Sequence, residues 1–241
     1  MRLSHKVGKI RSGQAFESAQ RHIRRKLLDW QRGIRLDPEG LIKAIDADQF
    51  EAIRKRYVTN NPGNAWLKYL DLQTWMAINL RRVRDLELDR GSSRRILDLG
   101  CGAGYFLFIS QCLGHEVVGL DIDEAPMFGE LIAMLGLRRV IWRVQPFVPL
   151  PKLGEKFDLI TAFMICFNGH KSPNLWGTNE WQFFLDDLET QLTPRGRICL
   201  GFNREEDGNF YSEELRQFFE SREAKIHSDS VILPSHRGRS R

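Results

Sequence analysis

A glycine-rich turn lies between two apolar runs in residues 94–109, RRILDLGCGAGYFLFI. Its glycines, Gly100, Gly102 and Gly104, stand at alternate positions, so the pattern predicts a strand, a tight turn and the start of a helix. In a sheet of parallel strands, ligands bind outside the carboxyl ends of the strands, and the turn after the first strand usually contacts them. The turn is therefore the first candidate for a binding site.

Apolar, β-rich runs alternate with helical patterns from residue 95 onward. The runs are RILDLG, EVVGLDI, RVIWRV, FDLITAFMICF and RICLGF. Such alternation is typical of parallel strands joined by right-handed crossovers. The sequence therefore predicts an α/β fold with a doubly wound, mostly parallel, Rossmann-like sheet and an N-terminal helical appendage. After the last helix, AKIHSDSVIL is expected to form a single strand.

The positive charge of the chain is concentrated in its first 60 residues. The net charge is +5, whereas residues 1–60 hold 14 Lys and Arg against 7 Asp and Glu, which gives +7. Within this region, residues 16–34 place apolar side chains at three- and four-residue spacing opposite arginines, which predicts a basic amphipathic helix. This helix is interpreted either as a surface helix with a solvated basic face, or as a lid, a clamp for an anionic substrate or a membrane-surface helix.

The turn signal TNNPGN, residues 59–64, predicts a boundary between two regions. Residues 1–60 are expected to form the basic helical N-terminal region, which serves as a lid or substrate cap. Residues 61–233 are expected to form the ligand-binding domain, beginning with a helix over residues 64–84, and residues 234–241 form a basic tail.

The cysteines and the apolar runs restrict the location of the protein. The four cysteines, Cys101, Cys112, Cys166 and Cys199, form no CxxC pair and have no histidine at ligand spacing, so neither a metal site nor a disulfide framework is predicted. The N-terminus lacks the apolar block of a signal peptide, and no run approaches the roughly 18 apolar residues that span a bilayer. A cytoplasmic protein is expected.

Two residues around the turn argue against a dinucleotide. The pattern G-x-G-x-x-G needs a third glycine where this chain has Tyr105, and Asp98 would place a negative charge near a pyrophosphate. Both features suit a ligand without phosphate that carries a positive amino group. S-adenosylmethionine fits this description.

The segment ILDLGCGAGYF resembles motif I of the class I S-adenosylmethionine-dependent methyltransferases, and the resemblance covers roughly residues 64–233. It implies S-adenosylmethionine as the cofactor and a methyltransferase sheet as the fold. Asp121, at the end of the next strand, is expected to accept hydrogen bonds from the ribose hydroxyls. The expected cofactor contacts at the first two strands are Asp98, Gly100, Cys101, Gly102, Gly104, Asp121 and Ile122.

The chain departs from the family after the third strand, where an acidic residue commonly lies near the adenine amino group. The matching stretch is VQPFVPLP, so Gln145 and Phe147 are expected to contact adenine instead. The short stretch after the last helix also implies that the closing antiparallel hairpin of the family is shortened.

Methyl transfer by in-line displacement depends mainly on positioning, with help from a general base where the acceptor carries a proton. The segment after the fourth strand, FNGHKSPNLWGTNEWQFF, borders the methyl group in this family. His170 is the candidate base and Asn168 the residue that orients the acceptor, while Trp176 and Trp181 are candidates for the wall of the substrate site. The alternative is that His170 only bonds the loop backbone and that Trp181 belongs to the core.

A small molecule or metabolite is the expected methyl acceptor, with oxygen and nitrogen nucleophiles both open. A nucleic acid is a less favoured partner, suggested by the basic N-terminal region and tail. The sequence is also compatible with a nicotinamide oxidoreductase, which Tyr105 and Asp98 disfavour, and with a binding protein that has no catalytic activity.

We predict that the protein binds S-adenosylmethionine and S-adenosylhomocysteine but not NAD. Asp121→Ala should weaken this binding by about 1.5–3 kcal/mol, the scale of hydrogen bonds to a charged group. Calorimetric titration of both proteins with the three ligands measures the effect. Binding of NAD alone would contradict the cofactor prediction, and unchanged affinity of the variant would place the ribose elsewhere.

Overall fold

The computed structural model describes residues 36–60, 63–154 and 156–235. The basic amphipathic helix predicted for residues 16–34 therefore lies outside the described residues, as does the basic tail from residue 236 onward.

Seven strands form one sheet in the order β3-β2-β1-β4-β5-β7-β6. The first five strands pair in parallel, and β7 is antiparallel to both β5 and β6. This arrangement confirms the predicted doubly wound, mostly parallel sheet. The strands are β1 (Arg95–Leu99), β2 (Glu116–Asp121), β3 (Arg139–Ile141), β4 (Phe157–Ile165), β5 (Leu192–Phe202), β6 (Lys225–His227) and β7 (Ser230–Pro234).

Helices cover both faces of the sheet, because the central strands β1, β4 and β5 have buried apolar side chains on both sides. A 3-10 helix, Ala65–Leu70, precedes α3. The α-helices are α1 (Pro38–Lys43), α2 (Ala47–Asn60), α3 (Leu72–Asp85), α4 (Tyr105–Cys112), α5 (Pro126–Met134), α6 (Thr178–Gln191) and α7 (Glu213–Ser221).

Two apolar layers hold the sheet between these helices. On one face, Ile96 and Leu159 pack with helices α1 to α5, and on the other face Leu97 and Ile160 pack with α6 and α7. Trp181 at the start of α6 is fully buried in the second layer.

Two sequence-based expectations on element boundaries were wrong. The single helix predicted over residues 64–84 is divided at Asp71, because the Asp71 carboxylate accepts a hydrogen bond from the Thr74 backbone N–H (3.0 Å) and so begins α3 as a new helix. The stretch AKIHSDSVIL forms two strands rather than one, since Ser228 and Asp229 make a turn between β6 and β7. The closing antiparallel hairpin is therefore present, although β6 has only three residues.

The described part of the predicted N-terminal region is built into the core. Leu41 of α1 is fully buried and α1 packs against α3, while α2 packs against α5. The Tyr57 hydroxyl donates a hydrogen bond to Glu130 Oε1 (2.7 Å) on α5. Residues 36–60 thus share one apolar layer with the sheet.

Gly104 immediately precedes α4 and faces the side chains of Ile132 and Leu137. Its φ of +78° is left-handed, and a Cβ there would collide with Ile132 Cδ1 and would lie 2.7 Å from Leu137 Cδ1. Glycine is therefore required at this position both by backbone conformation and by space.

Gly104→Ala should lower the free energy of unfolding by about 1–2 kcal/mol for the left-handed backbone and by roughly 1–3 kcal/mol more for the steric overlap. Gly208→Ala is the matched control, because Gly208 has a φ of +83° and a Cβ there meets no atom within 4 Å. Urea unfolding of both variants measures the difference. Equal losses in the two variants would show that the packing around Gly104 adjusts without cost.

Candidate active site

A cavity of about 500 Å³ opens at the carboxyl ends of β1, β2 and β4. This volume falls in the range of roughly 300–1,000 Å³ that is typical of sites for cofactors and small ligands. Its floor is the loop from Asp98 to Tyr105, and its further walls come from the 3-10 helix, α3, the ends of β2 and β4, and the segment after β3. The predicted residues Asp98, Gly100, Cys101, Gly102, Gly104, Asp121 and Ile122 all line this cavity.

The glycine turn presents backbone rather than side chains to the cavity. Gly100 and Gly102 both have left-handed φ values, +70° and +53°. A Cβ built at Gly100 meets no atom within 4 Å, so the space beside this residue is open to a ligand. The turn is held down by the hydrogen bond from Gly100 N–H to the Leu120 carbonyl oxygen (2.7 Å).

Asp121 is fixed at the end of β2 by two backbone donors. Its Oδ2 accepts a hydrogen bond from Gly102 N–H (2.6 Å), and its Oδ1 accepts one from Ile122 N–H (2.7 Å). Burial raises the pKa of the Asp121 carboxyl, and these two hydrogen bonds oppose that shift. Both oxygens retain lone pairs for further donors, which is what a pair of ribose hydroxyls requires.

Asp98 is buried at the end of β1 with one protein donor. Its Oδ1 accepts a hydrogen bond from the Thr161 hydroxyl (2.7 Å) on the neighbouring strand β4. Burial raises the pKa of Asp98 to about 7, while the Thr161 hydrogen bond and the Arg82 charge oppose this shift. A carboxylate held in this state favours a positively charged partner in the cavity.

Arg82 projects from α3 into the same cavity. Its guanidinium lies over the ring of Phe163 with 4.4 Å from Cζ to the ring centroid, and its Nη1 donates to Asn79 Oδ1 (3.0 Å). Burial lowers the pKa of Arg82, and the charge of Asp98 partly restores it. The group stays protonated, because arginine does not lose its proton in proteins.

Aromatic side chains close the cavity above the glycine turn. Tyr69 of the 3-10 helix stacks on Trp75 with 4.3 Å between ring centroids and meets Phe128 edge-on at 5.1 Å. Tyr105 directly follows the turn, and its hydroxyl donates a hydrogen bond to the Tyr69 carbonyl oxygen (2.8 Å). We call Trp66, Tyr69, Trp75 and Phe128 the aromatic cap.

The end of β4 is irregular where it borders the cavity. The pairing of β4 with β5 shifts between Ala162 and Ile165, and Met164 within this shift has a φ of +53°. Such a β-bulge re-aims the following side chains, here Cys166 at the cavity wall. Burial raises the pKa of the Cys166 thiol, so this group is not an anion at neutral pH.

Several residues predicted for the site lie outside the cavity lining. Gln145 and Phe147 are exposed, and Trp142, Arg143 and Val144 take their place in the cavity wall. The physical reason is that β3 ends at Ile141, so the chain has already turned away from the cavity at residue 145.

The predicted catalytic residues also lie behind the wall rather than in it. His170 Nδ1 is 2.9 Å from Glu205 Oε1, and the Asn168 side chain is buried, with an Oδ1 that has no hydrogen-bond partner among the described residues. Trp176 and Trp181 pack on Phe184 in the core. The loop between β4 and α6 instead contributes Phe167 and Gly169 to the cavity lining.

The part of the site contributed by α3 was not predicted from the sequence. Trp75, Asn79 and Arg82 stand at positions i, i+4 and i+7, so they share one face of the helix, and all three line the cavity. A polar residue and an arginine on the same face as a buried tryptophan were the signal that could have identified them.

The geometry defines an α/β protein with a cofactor cavity at a glycine turn, and comparison with known proteins gives the class. Residues 96–196 match the model of a family described as a methyltransferase domain. This segment holds the glycine turn, Asp121 and the end of β4. The match over these residues agrees with the predicted resemblance to S-adenosylmethionine-dependent methyltransferases.

Solved structures of methyltransferases resemble the fold at low identity. One is an amino pentose methyltransferase from Micromonospora echinaspora, at 22% identity over 61% of this chain and 54% of that chain, with a TM-score of 0.39. A second is a TehB-like methyltransferase from Corynebacterium glutamicum, at 18% identity over 76% of this chain and 93% of that chain, with a TM-score of 0.46. A third is magnesium protoporphyrin IX methyltransferase from Synechocystis PCC 6803, at 18% identity over 76% of this chain and 91% of that chain, with a TM-score of 0.45. The chain spans about half the length of the amino pentose methyltransferase. A search of curated proteins gave no significant match.

Two further observations concern only the described residues. None of their helices combines the length and the apolar character needed to cross a membrane. Within the same residues, no three His, Cys, Asp or Glu side chains are grouped so as to hold a metal ion.

Asp98→Asn should make the protein more stable at pH 8 and leave its stability nearly unchanged at pH 4. The pKa of Asp98 is raised from 3.8 to about 7 in the folded state, so folding favours the protonated carboxyl. The contribution of Asp98 to stability is therefore complete below about pH 4 and is lost as the pH rises through 7. The gain of the variant at pH 8 should reach up to roughly 4 kcal/mol, at 1.36 kcal/mol per pKa unit.

Urea unfolding of the variant and the unsubstituted protein at several pH values measures this difference. Taking the difference between the two proteins removes the contribution of Asp121 and of the other carboxyl groups. A stability difference that does not change between pH 4 and pH 8 would show that Asp98 is not perturbed in this way.

Proposed function

We propose that this protein transfers a methyl group from S-adenosylmethionine to a nitrogen atom of a small-molecule amine. The observation that carries the proposal is the shared cavity, in which the glycine turn, Asp98 and Asp121 line one part and Arg82, Phe163 and Cys166 another. When bound, S-adenosylmethionine supplies an activated methyl group on a sulfonium, which a nucleophile can attack directly.

The residues of the cofactor side fit such a ligand. The open space at Gly100 admits the ligand close to the backbone, and Asp121 has free lone pairs for the ribose hydroxyls. Trp142, Arg143 and Val144 are the wall residues nearest to the position expected for the adenine ring, since they follow β3. We include these three as adenine-contacting residues in place of Gln145 and Phe147.

The concave, aromatic-lined shape of the cavity also favours a small acceptor over a macromolecule. The acceptor must reach the ends of β1 and β4 through an opening partly covered by the aromatic cap. A small molecule can enter through this opening, whereas the surface of a folded macromolecule cannot. Aromatic walls bury the apolar part of such an acceptor and exclude water from the reacting atoms.

The preference for an amine comes from the titratable groups of the wall. The described residues that line the cavity include no histidine and no lysine, burial raises the pKa of the Cys166 thiol, and we assign the two lining carboxylates, Asp98 and Asp121, to the cofactor rather than to the acceptor. A hydroxyl acceptor would need a base to remove its proton, whereas a neutral amine already has the attacking lone pair. Burial in an apolar cavity lowers the pKa of an amine and so favours its neutral form.

We keep the role of lid or substrate cap that the sequence predicts for residues 1–60 as part of the proposal. We also keep the expected cytoplasmic location, which agrees with the four free thiols of the chain.

A panel of acceptors with radiolabelled methyl donor tests the proposal. Pairs of small molecules that differ only by an amine or a hydroxyl, together with a structured RNA, are incubated with the protein at pH 8. We expect label on amines, less than one-tenth as much on the matched alcohols and none on RNA. Labelling of alcohols or RNA at the rate of amines would contradict the proposal.

The same assay tests the role of His170. A general base contributes typically 10²–10⁴-fold to a rate, whereas we expect His170→Gln to lower kcat less than about tenfold, because the imidazole lies on Glu205 behind the wall. His227→Gln is the control, since His227 is an exposed residue of β6. A loss of 10²-fold or more in His170→Gln alone would restore His170 as the catalytic base.

A further inference from the structure

We infer that Glu205, in the loop after β5, positions the part of the cavity wall against which the methyl acceptor packs. It is a positioning residue, because it does not line the cavity itself but holds the loop after β4, which does. The inference rests on the proposed function and extends the site to the end of β5, which contributes no residue to the described lining of the cavity.

The wall held in this way is the start of the loop after β4, residues 166–169, which we call the wall segment. Cys166, Phe167 and Gly169 line the cavity, whereas Asn168 between them is buried and is not part of the lining. Because β1 lies between β2 and β4 in the sheet, the wall segment is across the glycine turn from the end of β2. On the proposed function, the ribose is bound at β2, so the wall segment faces the acceptor.

Glu205 holds the far end of the wall segment with both of its carboxylate oxygens. Its Oε1 lies 2.9 Å from His170 Nδ1, and its Oε2 accepts a hydrogen bond from Lys171 N–H (2.8 Å). The Glu205 side chain is only 12% exposed, and hydrogen bonds to a charged group are stronger away from water. Lys171 has a left-handed φ of +52°, which is costly for a residue with a side chain, so its bond to Glu205 stabilises a strained turn.

Asn203 holds the near end of the same segment. Its Nδ2 donates hydrogen bonds to the Ile165 carbonyl oxygen (3.2 Å) and to Cys166 Sγ (3.3 Å). Two residues of one loop, Asn203 and Glu205, therefore fix the wall segment on both sides. Releasing either contact leaves one end of the wall segment free to move.

The loop that carries these two residues is itself anchored. Phe202, the last residue of β5, is buried, with its ring centroid 5.4 Å from that of Trp181. Glu205 N–H donates to the Asn209 carbonyl oxygen (2.7 Å), and Gly208 N–H donates to the Glu205 carbonyl oxygen (3.0 Å), which closes a tight turn. The Glu205 carboxylate thus extends from a fixed backbone and transmits that position to the wall segment.

Glu205→Ala should impair the acceptor side of the site and spare the cofactor side. We expect kcat/KM for the amine identified by the acceptor panel to fall roughly 10- to 100-fold, mainly through a higher KM, because a small displacement away from the chemistry can cost this much. The dissociation constant of S-adenosylhomocysteine, measured by calorimetry, should change less than about twofold, since Glu205 bonds the loop after β4 and not the glycine turn or Asp121.

Three further variants separate positioning from a general loss of structure. Glu205→Gln should retain most of kcat/KM, because its amide oxygen can accept from Lys171 N–H and its NH2 group can donate to Nδ1 of a neutral His170. Asn203→Ala should act in the same direction as Glu205→Ala, because it releases the other end of the wall segment. Glu206→Ala is the matched control, since Glu206 is the exposed next residue.

Hydrogen exchange followed by mass spectrometry tests the contact without any acceptor. Residues 166–176 include the Lys171 N–H that bonds Glu205 and the Trp176 N–H that bonds the Asn168 carbonyl oxygen (2.8 Å). Their amides should exchange faster in Glu205→Ala than in Glu206→Ala. The amides of β1, β2 and α6 should exchange as in the unsubstituted protein, which also shows that the variant is folded. If Glu205→Ala does not fold, Asn203→Ala takes its place in the comparison.

The outcomes separate this inference from the proposed function. Unchanged exchange in residues 166–176, or faster exchange with unchanged kcat/KM for the amine, would overturn the inference and leave the methyltransferase proposal standing. A loss of S-adenosylhomocysteine affinity as large as the loss in kcat/KM would also overturn it, since Glu205 would then support the whole cavity. A protein that labels no acceptor and does not bind S-adenosylhomocysteine would contradict the proposed function itself.

Discussion

The close approach of α4 to α5 at Gly104 is the constraint on which the site depends. Because the φ of Gly104 is +78° and a Cβ there would overlap Ile132 Cδ1 and approach Leu137 Cδ1 to 2.7 Å, a glycine lets α4 begin at the edge of the sheet without strain or displacement of these side chains. The turn before it can then run flat across the ends of β1 and β2, where Gly102 N–H reaches Asp121. Packing beneath the turn and hydrogen bonding within it thus specify the same backbone path.

Charge is placed in the cavity at the expense of stability. Asp98 is buried with a pKa of about 7, and Arg82 is held by a neutral amide and an aromatic ring. An apolar pair would serve the core better than these two separated charges. Their retention is understandable if a ligand supplies the missing partners, since a preorganised charged site then binds without first having to rearrange.

The fold was predictable from the sequence because its signal is periodic and local. The alternation of apolar runs after residue 95 gave the parallel sheet, and Gly100, Gly102 and Asp121 could be placed because each directly follows a strand. The break at Asp71 was missed, because the apolar periodicity of Trp66 to Val83 continues across a side chain that caps a new helix. Local hydrogen bonding overrode the pattern there.

The part of the cavity contributed by α3 could not be placed in the same way. Its residues come from an α-helix that precedes the sheet, and although their spacing puts them on one helix face, nothing in the sequence indicates that this face lies against Asp98. The loop after β4 was the natural candidate by sequence, yet the bulge at Met164 turns Cys166 and Phe167 to the cavity and leaves His170 on Glu205. A one-residue irregularity in a strand therefore decided which side chains reach the site.

The contact between Tyr105 and Tyr69 joins the two sides of the cavity. Tyr105 follows the glycine turn directly, and its hydroxyl holds the carbonyl oxygen of Tyr69, whose ring belongs to the aromatic cap. Tyr105, the residue that argues against a pyrophosphate in the sequence, is thus also the residue that anchors the wall above the turn. Since the cap rests on the turn through this bond and through Phe128, a ligand that fixes the turn also fixes the wall against which an acceptor must pack.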